Sequence, residues 1–412
     1  MTDPTGLCFL SYRRARAAEA CLLIAALRDR GIPTWQDIAD LATTPTEEAL
    51  RRVLGDPGTA SAIVFVTPDV EHSPVIRDIE APAIVGRHLQ GDGFFAVPVA
   101  AGGLDYGDMP RVLGPHLGLT HLPGWNIHRV AADSVDEATS ASIADLVLDQ
   151  RLAAIHAKLP GDNALDVVIA TRAPLPKAPG PALAIDLTHR FVGRVAGGDA
   201  WATAILPGLR AVVRAIRSRA PGRNVELSGL VAIPAAVAVG AAFLSLAGVR
   251  ITWRQDQQSF GKPSETWGLH RDREPSGFQV VTHARTVGAP DMALLVSVAA
   301  DVTADFNTTS AGLPSLRAVI SVARPVSPAS AVRPVLTAGQ ALDVAHLAID
   351  ALRTVRANYQ ARGTVHLFLA VPVGLAMMIG QLLNTFGQVQ TYEHLPGDPI
   401  PYLPAAVLTP SV

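Results

Sequence analysis

Two arginines stand where apolar segments run out. Arg172 follows Val167-Val168-Ile169-Ala170-Thr171, and Arg324 follows Val319-Ile320-Ser321-Val322-Ala323. Ligands of open α/β sheets gather at the carboxyl ends of strands, and a guanidinium there suits a phosphate. Read as equivalent positions, the two arginines would hold phosphates of one ligand. A third such place is Ser11-Tyr12-Arg13, which ends the apolar run Leu7-Cys8-Phe9-Leu10. Arg13 there can pair with a diphosphate, or with Arg14 simply begin a helix. Just after Pro372, where a strand-length segment meets a helix-length one, the backbone amides of Val373 and Gly374 are placed to meet an anion, so Pro372, Val373 and Gly374 are candidate ligand contacts. Trp35 either stacks on a base or closes a hydrophobic turn, and Asp37 either bonds a ribose hydroxyl or caps its loop.

Other chemistries lack their residues. There is no Gly-x-x-x-x-Gly-Lys phosphate loop, no Gly-x-Ser-x-Gly elbow and no Gly-x-Gly-x-x-Gly fingerprint. His116, His121 and His128 have neither metal-ligand spacing nor partner cysteines, so no metal is expected. Cys8 lies inside an apolar run and reads as packing. With Cys21 it is one of two cysteines, too few for a disulfide framework, which fits a reducing compartment.

The 34 basic and 36 acidic residues leave a net charge of −2, which does not suit a polymeric nucleic acid as partner. Hydrophobic residues make up 49% and charged ones 17%, a balance suited either to buried parallel sheets or to a sticky, assembling surface. The first residues lack the basic and apolar regions of a signal peptide, so a cytoplasmic protein is expected. Leu227 to Val249 is uncharged and long enough to span a bilayer, which needs roughly 20 residues. Pro234 divides it where a strand should become a helix, so it reads as core and no membrane is expected.

These residues need elements to hold them. Val365 to Pro372 has strand length, Val373 to Leu383 helix length, and Val389 to Tyr392 is a strand again, which makes a βαβ unit. Leu227 to Pro234, Ala235 to Leu244 and Val249 to Trp253 repeat the pattern. Aligned on Pro234 and Pro372, the two units predict a duplicated α/β domain. Upstream, strands at Leu7–Tyr12, Ala62–Val66 and Phe94–Val99 alternate with helices at Glu47–Leu54 and Ser73–Gly86, predicting a parallel sheet. A helix over Asp133–Lys158, capped by Ser134, is read as a linker. Arg254–Ser276 reads as a polar surface connection, and Pro396–Val412 as a wrap without regular structure.

The duplicated pair resembles the SAVED domain, a fusion of two CARF-like units that senses cyclic oligonucleotides in the bacterial antiphage signalling called CBASS. The resemblance implies residues 161–412 as SAVED, in units of about 161–255 and 277–412. The ligand it implies is a cyclic oligonucleotide second messenger, with a cyclic trinucleotide as the first choice.

Phe9-Leu10-Ser11-Tyr12-Arg13-Arg14, Gly31-Ile32-Pro33-Thr34-Trp35-Gln36-Asp37 and Val64-Phe65-Val66-Thr67-Pro68 resemble, in order, the opening strand, second strand and third strand of a TIR domain. That resemblance spans residues 1 to about 130 and implies a flavodoxin-like fold. TIR enzymes cleave the N-glycosidic bond of NAD+ with a glutamate in a Trp-x-x-x-Glu pattern on the helix after the third strand. Here Glu80 matches the glutamate, Ile76 replaces the tryptophan, and Asp78 is the nearest rival. NAD+ is then a substrate and no cofactor is implied. TIR domains also self-associate, which implies a ligand-induced oligomer or filament. The alternative is a TIR scaffold without enzymatic activity.

Overall fold

The computed structural model describes residues 1–35, 46–114, 127–130, 134–175, 179–244, 248–258, 261–325 and 335–410. The chain divides into two compact units. The first comprises Met1–Val168, Pro174–Asp186 and Arg214–Pro221; the second comprises Ile169–Ala173, Leu187–Val213 and Gly222–Val412.

The first unit is built on strands β1 (Leu7–Ser11), β2 (Thr34–Trp35), β3 (Thr59–Val66), β4 (Phe95–Ala100) and β5 (His128–Arg129). Their order is β2-β1-β3-β4-β5 and every neighbouring pair is parallel. This is the flavodoxin-like order, with its topological switch point between β1 and β3. β3 is buried along its whole length, as an uninterrupted apolar run requires in a sheet covered on both faces. The helices are α1 (Ala17–Asp29), α2 (Thr46–Gly55), α3 (Ala81–Leu89), α4 (Met109–Leu113) and α5 (Glu137–Lys158). α1 ends before Gly31, whose φ of +78° a side chain would strain.

α5 starts two residues later than the Ser134 cap implies, because the Asp136 carboxylate accepts the Thr139 N–H. Its Arg151 is only 1% exposed. The guanidinium donates to the carbonyls of Thr5 and Gly6, both at 2.6 Å, and of Ala182 at 2.9 Å. Burial pushes its pKa down to about 10, still charged at neutral pH. These three carbonyls supply acceptors for the buried cation and tie α5 to the residues that lead into β1.

The remaining strands are β6 (Leu165–Ala170), β7 (Leu183–Asp186), β8 (Phe191–Val192), β9 (Val195–Ala196), β10 (Val225–Leu230), β11 (Ile251–Gln255), β12 (Glu265–Trp267), β13 (Gln279–Ala284), β14 (Asp291–Ser297), β15 (Leu316–Ala323), β16 (Val365–Ala370), β17 (Val389–His394) and β18 (Tyr402–Leu408). Helices α6 (Leu206–Arg219), α7 (Ile233–Ala242), α8 (Thr303–Ser310), α9 (Ala338–Tyr359) and α10 (Val373–Gln381) complete the chain. One sheet has the order β12-β11-β10-β6-β7, the other β13-β15-β14-β16-β17-β18. Read from the opposite end, β18-β17-β16-β14-β15 repeats the first order strand for strand. β13 is then an addition at one edge.

The register confirms the duplication and corrects its alignment. Val225 pairs with Ile251 as Val365 pairs with Val389. Matching β10 to β16 and α7 to α10 sets Ile233 opposite Val373. Pro234 therefore corresponds to Gly374, and Pro372 to Ala232: the two prolines do not mark the same hinge. Pro372 is the N-cap of α10 and Pro234 is the second residue of α7. Both places suit proline, because first-turn N–H groups have no intrahelical acceptor. Two further expectations fail. Arg254–Ser276 contains β12, antiparallel to β11, with Trp267 fully buried. The tail contains β18, antiparallel to β17.

α7 and α10 pack against each other through glycine. A methyl group at Gly240 would stand 2.1 Å from the Met377 carbonyl oxygen, and one at Gly380 would stand 2.3 Å from that of Val237. Neither backbone can yield without moving its helix. Gly240→Ala and Gly380→Ala should each lower stability by about 1–3 kcal/mol in urea unfolding. An unchanged midpoint for both would mean the helices part freely.

Candidate functional site

β1 carries Ser11 to its carboxyl end, one strand from β3 at the switch point. The Ser11 hydroxyl donates to Glu80 Oε2 at 2.5 Å, and both side chains are buried, Glu80 with 5% exposure. The glutamate reaches inward because residues Val75–Glu80 form a widened helical turn, closed by the Ala81 N–H on the Ile76 carbonyl. Pro82 follows at once; it lacks an N–H and its ring crowds the carbonyl four residues back, so the wider turn relieves the clash. Asp78 on the same turn is exposed, and Ile76 is buried in the core.

Tyr12 and Arg13 are half-buried beside Ser11. Arg13 reaches Asp69 at 3.5 Å and the His72 carbonyl at 3.4 Å, both at the outer limit of a hydrogen bond. Asp69 lies just past β3. Burial works to raise its pKa, but the Thr67 hydroxyl at 2.6 Å, its own N–H, and the Arg16 and Arg13 guanidiniums together hold it below the ordinary aspartate value. Trp35 stacks on Phe9, with ring centroids 5.0 Å apart and 14° between planes, and belongs to the core. Its buried face closes the β1–β2 edge rather than standing open to a base. Asp37 lies outside the described residues. Cys8 is buried, and burial pushes its thiol up to about 11, which removes it as a nucleophile at neutral pH.

In the second unit, Arg172 and Arg324 are not equivalent. The Thr171 N–H donates to the Leu230 carbonyl as the Val298 N–H donates to that of Ala370, each at 3.0 Å. β6 thus corresponds to β14, and Arg172 to Ala299. Arg324 follows β15, the counterpart of β7. Arg324 donates to the Ser276 carbonyl at 2.9 and 3.2 Å and lies over the Phe278 ring. Arg172 donates to Glu393 at 2.7 Å, and Arg194 reaches the same carboxylate oxygen at 3.3 Å. The Gly374 N–H is bonded to the Gln255 side chain at 3.2 Å. Gly374 also needs its missing side chain, since a methyl there would lie 2.9 Å from Trp267. Arg194 and Glu393 escaped the sequence reading. The Val-Gly-Arg-Val hairpin around Arg194 was the available signal, and Glu393, on a different element, offered none.

Among the described residues no group of three or more His, Cys, Asp or Glu is arranged to hold a metal, and no helix is long and apolar enough to cross a membrane.

Fold and site define a flavodoxin-like parallel α/β unit joined in one chain to a duplicated α/β domain. Residues 209–408 match the model of the SAVED family, the SMODS-associated sensor domain fused to various effectors. The structure is similar to that of the Acinetobacter baumannii Cap4 SAVED/CARF-domain containing receptor with the cyclic trinucleotide 2′3′3′-cAAA. The TM-score is 0.50 at 12% identity, covering 90% of this chain and 86% of that one. Against the same receptor with 3′3′3′-cAAA the TM-score is 0.50 at 10% identity, covering 97% and 100%. At such identities the likeness is one of fold. No curated protein matches the sequence.

The depressed Asp69 pKa gives a sign-definite prediction. A carboxylate whose folded pKa lies below its unfolded value stabilises above about pH 4 and loses that contribution as pH falls through the folded pKa. Asp69→Asn should therefore be less stable than the parent at pH 7, with the difference vanishing in acid. A pH-independent difference in thermal unfolding would contradict the charge as its source.

Proposed function

We propose that this chain is a CBASS effector in which the SAVED domain binds a cyclic oligonucleotide, a cyclic trinucleotide in the first instance, and the N-terminal unit is a TIR-type NAD+ glycohydrolase. The SAVED match and the cyclic trinucleotides held by receptors of similar fold support the sensor reading. The observation that carries the catalytic reading is the buried Ser11–Glu80 pair at the switch point of a flavodoxin-like sheet.

The chemistry follows from that pair. The bond between C1′ of the ribose and the nicotinamide nitrogen breaks, and its electrons leave with nicotinamide. Positive charge develops on the ribose ring, and water then adds at C1′ and loses a proton. A carboxylate near the ribose hydroxyls orients the sugar and stabilises the cation, and in a dry site its field is weakly screened. Ser11 holds the Glu80 oxygen in place before substrate arrives. Arg13, loosely paired, has donors to offer the diphosphate.

Glu80→Gln keeps the shape and removes the charge. Nicotinamide release at saturating cyclic trinucleotide should fall at least about 100-fold, with ligand affinity unchanged in calorimetry. Near-parental release would overturn the assignment of Glu80.

Activity is proposed to require ligand-induced assembly, and a head-to-tail contact that does not close yields a filament. The specific rate at saturating ligand should rise with protein concentration, in step with light scattering. A rate per molecule that is independent of concentration, from a species that scatters as a monomer, would rule this out.

A further inference from the structure

Arg172, Arg194 and Glu393 meet in one cluster that no motif announces. Glu393 is near the end of β17 and only 4% exposed. Its Oε1 accepts from Arg172 Nη2 at 2.7 Å and from Arg194 Nε at 3.3 Å. Two cations share one oxygen of one buried anion, so the cluster keeps an excess of positive charge. Arg194 is held at the tip of the β8–β9 hairpin, whose first turn residue, Gly193, has φ +62°. A two-residue turn with glycine first matches the twist of the strands and presents the next side chain outward. The hairpin is braced by Phe191, which meets Trp201 edge to face at 5.9 Å. The Arg194 side chain remains 48% exposed, and a guanidinium has five donors.

The reciprocal place between the two copies lacks this cluster. Ala299 stands in the place of Arg172. Counting from the paired residues Ile251 and Val389, Gln255 stands in the place of Glu393. A pair needed to join the repeated folds would recur at the reciprocal place; this one, which links the end of β6 in the first copy to β17 in the second, is found at only one of the two.

We propose that Arg172, Arg194 and Glu393 form a phosphodiester-binding corner of the sensor crevice. Arg172 and Arg194 contact a phosphate, and Glu393 is a positioning residue that keeps the two guanidiniums side by side against their mutual repulsion. The proposal rests on reading the C-terminal part as a cyclic-oligonucleotide sensor.

The two roles give opposite signs for one substitution. If Glu393 acted only through its charge, Glu393→Gln would tighten binding of an anionic ligand. As a positioning residue it weakens binding, because the arginines splay. Calorimetry with 2′3′3′-cAAA and 3′3′3′-cAAA should show Arg194→Ala binding about tenfold to a hundredfold more weakly than the parent, with a shallower dependence on salt. Glu393→Gln should bind about tenfold more weakly, with an unchanged unfolding temperature for the free protein. Should Glu393→Gln fail to fold, the exposed Arg194 decides alone. Unchanged or tighter binding by Glu393→Gln, or unchanged binding by Arg194→Ala, overturns the corner while leaving the sensor reading intact. A parent protein that binds neither probe removes the sensor reading, and the corner with it.

Discussion

The second unit depends on how closely α7 and α10 approach. Each helix begins at the carboxyl end of a central strand, β10 or β16, and each brings a glycine to the other's carbonyl backbone. Side chains at those two positions would force the helices apart, and with them the sheets on which they lie. The same constraint reaches the first turns. Gly374 lets α10 settle on Trp253 and Trp267, and the Gln255 side chain meets its N–H. The place that the sequence marks as an anion-binding helix start is therefore already tied to the neighbouring half. Under the proposed sensor reading, charge for a ligand comes from elsewhere, from Arg172 and Arg194.

The first unit solves a different problem, which is to bury the Glu80 carboxylate at the switch point of its sheet. A buried carboxylate is costly without hydrogen bonds. Ser11 supplies one from the end of β1, and the widened turn between Pro74 and Pro82 supplies the direction. Asp78, two residues earlier on the same turn, is exposed. The geometry thus separates two carboxylates that sequence alone leaves as rivals.

What was legible in the sequence was what burial writes into composition. β3 and β16 are apolar runs because both faces of each are covered. β12 and β18 were hidden for physical reasons. β12 is three residues long in a charged stretch, and its one deeply buried side chain, Trp267, gives no period to read. β18 contains Pro404, which argues against a central strand but is tolerated in β18, at the edge of its sheet. The prolines at the two hinges suggested an alignment two residues out of step, because first turns accept proline at more than one position. Contacts between distant segments, Ser11 with Glu80 and Arg172 with Glu393, leave no local trace; a family pattern pointed to Glu80, and nothing pointed to Glu393.

The central claim is that one chain couples recognition of a cyclic oligonucleotide to destruction of NAD+. Its most direct test is to incubate the full-length protein with NAD+ and titrate cyclic di- and trinucleotides while measuring free nicotinamide. The account predicts negligible release without ligand, and release that saturates with the occupancy of a cyclic trinucleotide. Saturated binding with no nicotinamide released would contradict it and leave a non-enzymatic scaffold; so would release at full rate in the absence of any cyclic nucleotide.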